Sequence, residues 1–122
     1  MTNKLFFEGR FTREPELKTV PSGNTVCNFS LANSKKFFDK NGEKKETSVF
    51  LNFTAWGKSA ETIAKFCGKG GRLTVVARAE SKTTEDAEGK KTYRTEFTVE
   101  EFNIIDYKET TTSAADSYEG IL

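Results

Sequence analysis

One segment of this 122-residue chain changes period, and its place in the order constrains the fold more than any other feature. In "KSAETIAKFCGKGG" (58–71), Ala60, Ile63, Ala64 and Cys67 fall at i, i+3, i+4 and i+7, one face of a helix. Ser59 suits an N-cap and Gly68 a stop, which predicts a helix of about two and a half turns at 3.6 residues per turn. The other patterned segments alternate with period two, as strands do.

Three alternating runs precede the helix. "NKLFFEGRF" (3–11) puts Leu5, Phe7 and Phe11 in one phase, with Gly9 marking a bend or bulge. "TVCNFSLAN" (25–33) puts Cys27, Phe29 and Leu31 inward and continues to "KKFF" (35–38). The Asn41-Gly42 pair signals a hairpin tip, and "SVFLNFTAWGK" (48–58) forms the return strand. Two runs follow the helix. "RLTVVARAESK" (72–82) places Leu73, Val75, Ala77 and Ala79 inward. "YRTEFTVEEFNII" (93–105) keeps Tyr93, Phe97 and Val99 in phase and slips by one at Glu100-Glu101, which predicts a bulge. Three strands, a short helix, then two strands is the order of an all-β, five-stranded oligonucleotide-binding (OB-fold) barrel, with the helix between strands 3 and 4 closing one end. Residues 1–106 read as this single domain. Residues 107–122, without periodicity and rich in Ser, Thr and Ala, read as a disordered, mildly acidic tail.

The return strand raises a functional question. Val49, Leu51, Phe53 and Ala55 form its apolar phase, so Phe50 and Trp56 fall on the other face with Ser48, Asn52 and Thr54. Flat rings on a polar face suit base stacking, worth about 1–3 kcal/mol per base in single-stranded nucleic acid. Such a ring could also cover a barrel end or be buried between subunits. Cations gather nearby: Lys35, Lys36, Lys58 and Lys69, with Arg72, Arg78 and Lys82 sharing the outward phase of one strand. Alternation alone turns Phe38 outward and Phe37 inward.

Other chemistries lack their residues. The chain has no histidine, which removes imidazole acid–base catalysis and most zinc sites. "GKGG" (68–71) lacks the spacing of either phosphate-binding glycine motif. No metal, no cofactor and no enzymatic activity is expected. Cys27 and Cys67 read as buried, reduced thiols of a cytoplasmic protein, and no apolar run reaches membrane-spanning length. Net charge is +1, but the part from Asp106 onward has four acids and one base, which leaves a mildly basic body.

Taken together, "NKLFFEGRFTREPEL", "PSGNTVCNFSLANS", "FTAWGKSAETIAKFCGKGGRLTV" and "GKKTYRTEF" resemble the bacterial and phage-type single-stranded DNA-binding proteins over residues 3–105. The resemblance implies a protein that coats single-stranded DNA in replication, recombination and repair, with little sequence preference. It implies a homo-oligomer, a homotetramer before a dimer, and replication or recombination proteins as partners through the tail. Base-stacking positions fall on Phe37, Phe50, Trp56 and Phe66, which for Phe37 requires a bulge near Ser34–Lys36. Phosphate-contacting positions fall on Lys4, Lys18, Lys58, Lys69 and Lys82. The chain departs from the family where a loop tryptophan is usual and Thr84 stands, and its tail lacks the strongly acidic tip; such a compact chain suits a phage- or mobile-element-encoded member. The rival reading is an OB-fold protein-interaction scaffold in replication restart or recombination.

Overall fold

The structure, a computed structural model, describes residues 1–108. The expected tail therefore lies outside the described residues from position 109 onward. Six strands and one helix run in the order β1 (Leu5–Phe11), β2 (Glu16–Thr19), β3 (Thr25–Phe38), β4 (Lys44–Trp56), α1 (Lys58–Phe66), β5 (Arg72–Glu85) and β6 (Lys91–Ile104). The sheet order is β1-β5-β6-β4-β3-β2, and β1 also pairs with β3, closing a five-stranded barrel. The extra strand, β2, pairs with β3 from Glu16↔Asn28 to Thr19↔Thr25 across the turn 20–24. It was not visible as periodicity because four exposed residues carry no apolar phase.

Closure depends on a glycine. Gly9 lies where β1 crosses β3, and a Cβ there would stand 2.8 Å from the Ala32 carbonyl oxygen and 2.9 Å from the Leu31 Cβ. The chain then pairs Arg10↔Ala32 and Phe11↔Leu31. Inside, Phe53 on β4 is the hub of the aromatic core, with ring centroids 5.6 Å from Phe7, 5.7 Å from Phe29 and 5.9 Å from Phe97. One side chain thus ties β4 to β1, β3 and β6. Burying a phenylalanine contributes about 1.5–3 kcal/mol, and aromatic pairing adds to it.

The helix starts two residues earlier than its sequence suggests. Gly57, not Ser59, is the N-cap: at φ 61° it turns the chain straight out of β4, and its carbonyl accepts from the Glu61 N–H at 3.0 Å. Ala60, Ile63 and Cys67 are buried as the spacing predicts. Both thiols are free, and burial pushes each up to about 11. The predicted bulge is present: Val76 pairs with Glu101 and Ala77 with Val99, so Glu100 is the extra residue and Phe102 and Ile104 return to the core face.

Two hairpins outrun the barrel. Their tips are built alike: the side chains of Asp39 and Asp86 each accept two backbone N–H bonds, from Asn41 and Glu43 and from Glu88 and Lys90, at 2.8–2.9 Å. Val49, expected in the core, is exposed because it lies on the projecting part of the first arm; Tyr93 is exposed on the second arm for the same reason. Gly9→Ala should shift the urea midpoint by the equivalent of about 1–3 kcal/mol, the cost of inserting a methyl group into a packed crossing. An unchanged midpoint would mean the crossing is looser than the distances imply.

Candidate nucleic-acid interface

Strand pairing fixes which side chains share a face, because directly paired residues point the same way. The β3–β4 register is unbroken from Val26↔Trp56 to Phe38↔Lys44. Phe53 and Phe29 are buried, so the alternate residues Asn52, Phe50 and Ser48, with Trp56, line the outer face opposite Ser30, Ala32, Ser34 and Val26. Phe50 is 64% exposed and Trp56 48%. Lys18 pairs with Val26, which puts an ammonium in the same row as the indole. The next row runs Asn28, Thr54, Thr98, Arg78 across four strands, with the Thr54 hydroxyl donating to Asn28 Oδ1 at 2.9 Å.

The unbroken register removes the bulge supposed near Ser34–Lys36. Phe38, 72% exposed, and Lys36 share the face of Phe50 and Trp56, whereas Phe37 and Lys35 share the opposite face of the arm. Phe37 is nonetheless 41% exposed, since that part of the arm has no barrel beneath it. Trp56, Phe50 and the Lys44–Phe38 pair recur every six residues, about 20 Å apart at 3.3 Å per strand residue.

The nine candidate cations divide by their partners. Lys4 pairs with Glu100 at 2.6 Å and Lys82 with Glu80 at 3.6 Å. Arg72 is held by Asp106: its backbone N–H, Nε and Nη2 donate to the carboxylate at 3.0, 2.8 and 3.1 Å. Those bonds hold the Asp106 carboxyl below its ordinary value and raise the Arg72 guanidinium above its own. Lys18, Lys35, Lys36, Lys58, Lys69 and Arg78 have no carboxylate within ion-pair distance among the described residues. Arg94 went unnoticed in the sequence; it lies opposite Lys82 on the outer face of the second hairpin, where its Nη2 donates to Glu96 at 2.8 Å. The alternation that puts Tyr93, Phe97 and Val99 in one phase puts Arg94 in the other, which is the signal that could have found it.

At the far end of α1, Phe66 is 37% exposed, with Lys65 Nζ 5.2 Å from its ring centroid. Tyr107 packs on it edge to face, centroids 6.0 Å apart, and the Lys108 N–H donates to the Phe66 carbonyl at 2.7 Å. Tyr107 and Lys108, assigned to the tail by sequence, are thus fastened to the barrel. Among the described residues no cluster of acids and cysteines has metal-binding geometry, and no helix is long and apolar enough to cross a membrane.

A closed five-stranded barrel with an end helix, two projecting hairpins and an aromatic, cationic outer face defines an oligonucleotide-binding-fold protein. Residues 2–105 match the sequence profile of the Single-strand binding protein family. Relatives include "Single-stranded DNA-binding protein" of Enterococcus faecalis (35% identical over 106 residues, 87% of this chain and 55% of that one). The Streptococcus mutans protein of the same name is 32% identical over 97% of this chain and 71% of its own. "Single-stranded DNA-binding protein 1" of Clostridium acetobutylicum is 35% identical over 87% of this chain and 96% of its own. The Plasmodium falciparum SSB complex with ssDNA superposes with a TM-score of 0.71 at 21% identity, covering 89% of this chain and 97% of that one, a likeness of fold. The chain belongs to the Single-strand binding protein family.

The Arg72–Asp106 fork has a pH signature. A carboxyl depressed on folding contributes stability that is present above its ordinary value of 3.8 and lost as pH falls through the lower folded value. Urea midpoints measured from pH 7 to pH 2 should lose part of their acid limb in Asp106→Asn; identical acid limbs would show that the fork contributes nothing to folding.

Proposed function

We propose that this protein binds single-stranded DNA with little sequence preference and coats it during replication, recombination and repair in the cytoplasm, acting as a binder and not as an enzyme. The observation that carries the reading is the outer face of β3–β4, where two exposed rings alternate with hydroxyls and amides beside unpaired ammonium groups. Phe50 and Trp56 stack bases there; Phe66 extends the contact at the helix end, and Phe37 offers a further ring on the opposite face of the arm. Lys18, Lys36, Lys58, Lys69 and Arg78 meet phosphates, with Lys35 on the far side of the arm. Lys4, Arg72 and Lys82 contribute less, because each already faces a carboxylate. Residues 1–106 form the body of the binding domain, and residues 107–122 follow as a tail whose first two residues, Tyr107 and Lys108, are fastened to it.

The protein acts as a homo-oligomer, a homotetramer in preference to a dimer. In support, β1 pairs with β3 only at Arg10 and Phe11, and Phe6, in register with Val76, is exposed on that side.

Trp56 is the single tryptophan, so its fluorescence reports on the site directly. Oligo-dT should quench it, and Trp56→Ala should weaken binding by about 1–3 kcal/mol while the thermal midpoint holds. Absence of a quench at saturation would hand the face to a protein partner, the scaffold reading. Affinity should also fall with salt, at a log–log slope of about −0.7 per phosphate neutralised. The six cations that lack a carboxylate partner among the described residues set that slope at about −4, and a slope near zero would reject a phosphate-tracking surface.

A further inference from the structure

We infer that Tyr107 forms a further base-docking position at the far end of the helix, with Phe66 as its support; this rests on the single-stranded DNA reading above. Three observations separate the two rings. Phe66 has an ammonium group over its ring and Tyr107 against it at 70°, which leaves it 37% exposed. Tyr107 is 63% exposed, the more open ring of the pair. Its position is also fixed on both sides. Before it, the backbone N–H groups of Ile105 and Asp106 donate to the Arg72 carbonyl at 3.1 and 3.3 Å, and the Asp106 carboxylate is gripped by the Arg72 side chain. After it, the Lys108 N–H bonds the Phe66 carbonyl at 2.7 Å. A ring held by its own backbone and by an aromatic neighbour loses little conformational freedom when a base stacks on it.

The surroundings suit a nucleotide. A cavity of about 200 Å³ opens beside the ring between Glu14, Lys69 and Lys108. Lys65, Lys69 and Lys108 bring three positive charges to this end. Glu14 is the opposing carboxylate: it sits 3.5 Å from Lys108 Nζ and accepts from the Lys69 backbone N–H at 3.0 Å. The Lys69 ammonium has no carboxylate within ion-pair distance among the described residues. The Asp106 charge is answered by Arg72, with Arg10 3.9 Å away. The balance is cationic around an open, immobilised ring, the pairing that single strands require. The helix, about 13 Å long at 1.5 Å per residue, separates this position from Trp56. A strand long enough to reach both meets Tyr107 after the barrel-face rings.

The test is a length series of oligo-dT read by Trp56 quenching. For Tyr107→Leu the affinity should stay at the wild-type value for short oligomers and fall about fivefold or more for those that reach the helix end. Tyr107→Phe should bind long oligomers like wild type, because stacking needs the ring and not the hydroxyl. Iodouracil placed along the long oligomer should photocross-link to Tyr107. Equal binding of long oligomers by Tyr107→Leu with the Trp56 quench intact would overturn the inference and leave the DNA-binding reading standing. So would an equal loss at every length with a lowered thermal midpoint, which marks a packing role. No quench of wild type at any length would overturn both.

Discussion

The barrel exists because two backbones touch. Where β1 crosses β3, the Ala32 carbonyl occupies the space of a side chain at position 9, so the strands close only around a residue that has none. From that crossing the rest follows. Closure puts β1 between β5 and β3, the core phases of all five strands meet in one cluster, and every alternate residue of β4 is forced outward. Phe50 and Trp56 are exposed because their neighbours in sequence are needed inside. The proposed binding surface is the unavoidable reverse side of the core.

That surface is simpler in charge than a count of lysines and arginines suggests. Three of nine candidate cations face carboxylates, and the strongest of these contacts, Arg72 to Asp106, fastens the end of β6 to the start of β5. Exposed ion pairs of this kind contribute modestly to stability. Here the geometry matters more than the energy, since the fork fixes where the chain runs beyond the last strand.

The sequence was most legible where phase had a core to refer to. The order of strands and helix, the inward set Phe29, Leu31, Phe53, Leu73 and Val75, and the outward Phe50 and Trp56 could all be read from alternation. The slip at Glu100 was readable for the same reason, because Phe102 and Ile104 had to return to the core. Phase failed where the strands leave the barrel: Val49 and Phe37 are inward by alternation yet exposed, there being nothing to be inward of. It was also silent about β2, four exposed residues set entirely by pairing. The helix cap was misplaced because Ser59 is the better capping residue in isolation, while the sharp exit from β4 demands the left-handed Gly57.

Between the two hairpins the sheet is joined parallel at only two residue pairs, Phe53↔Phe97 and Thr54↔Thr98. Beyond them each arm holds itself together by its own long antiparallel ladder. Past that seam no strand pairing joins one arm to the other among the described residues, so each reaches out from the barrel on its own ladder. How far the outer face extends is therefore set by the length of those ladders and not by the core.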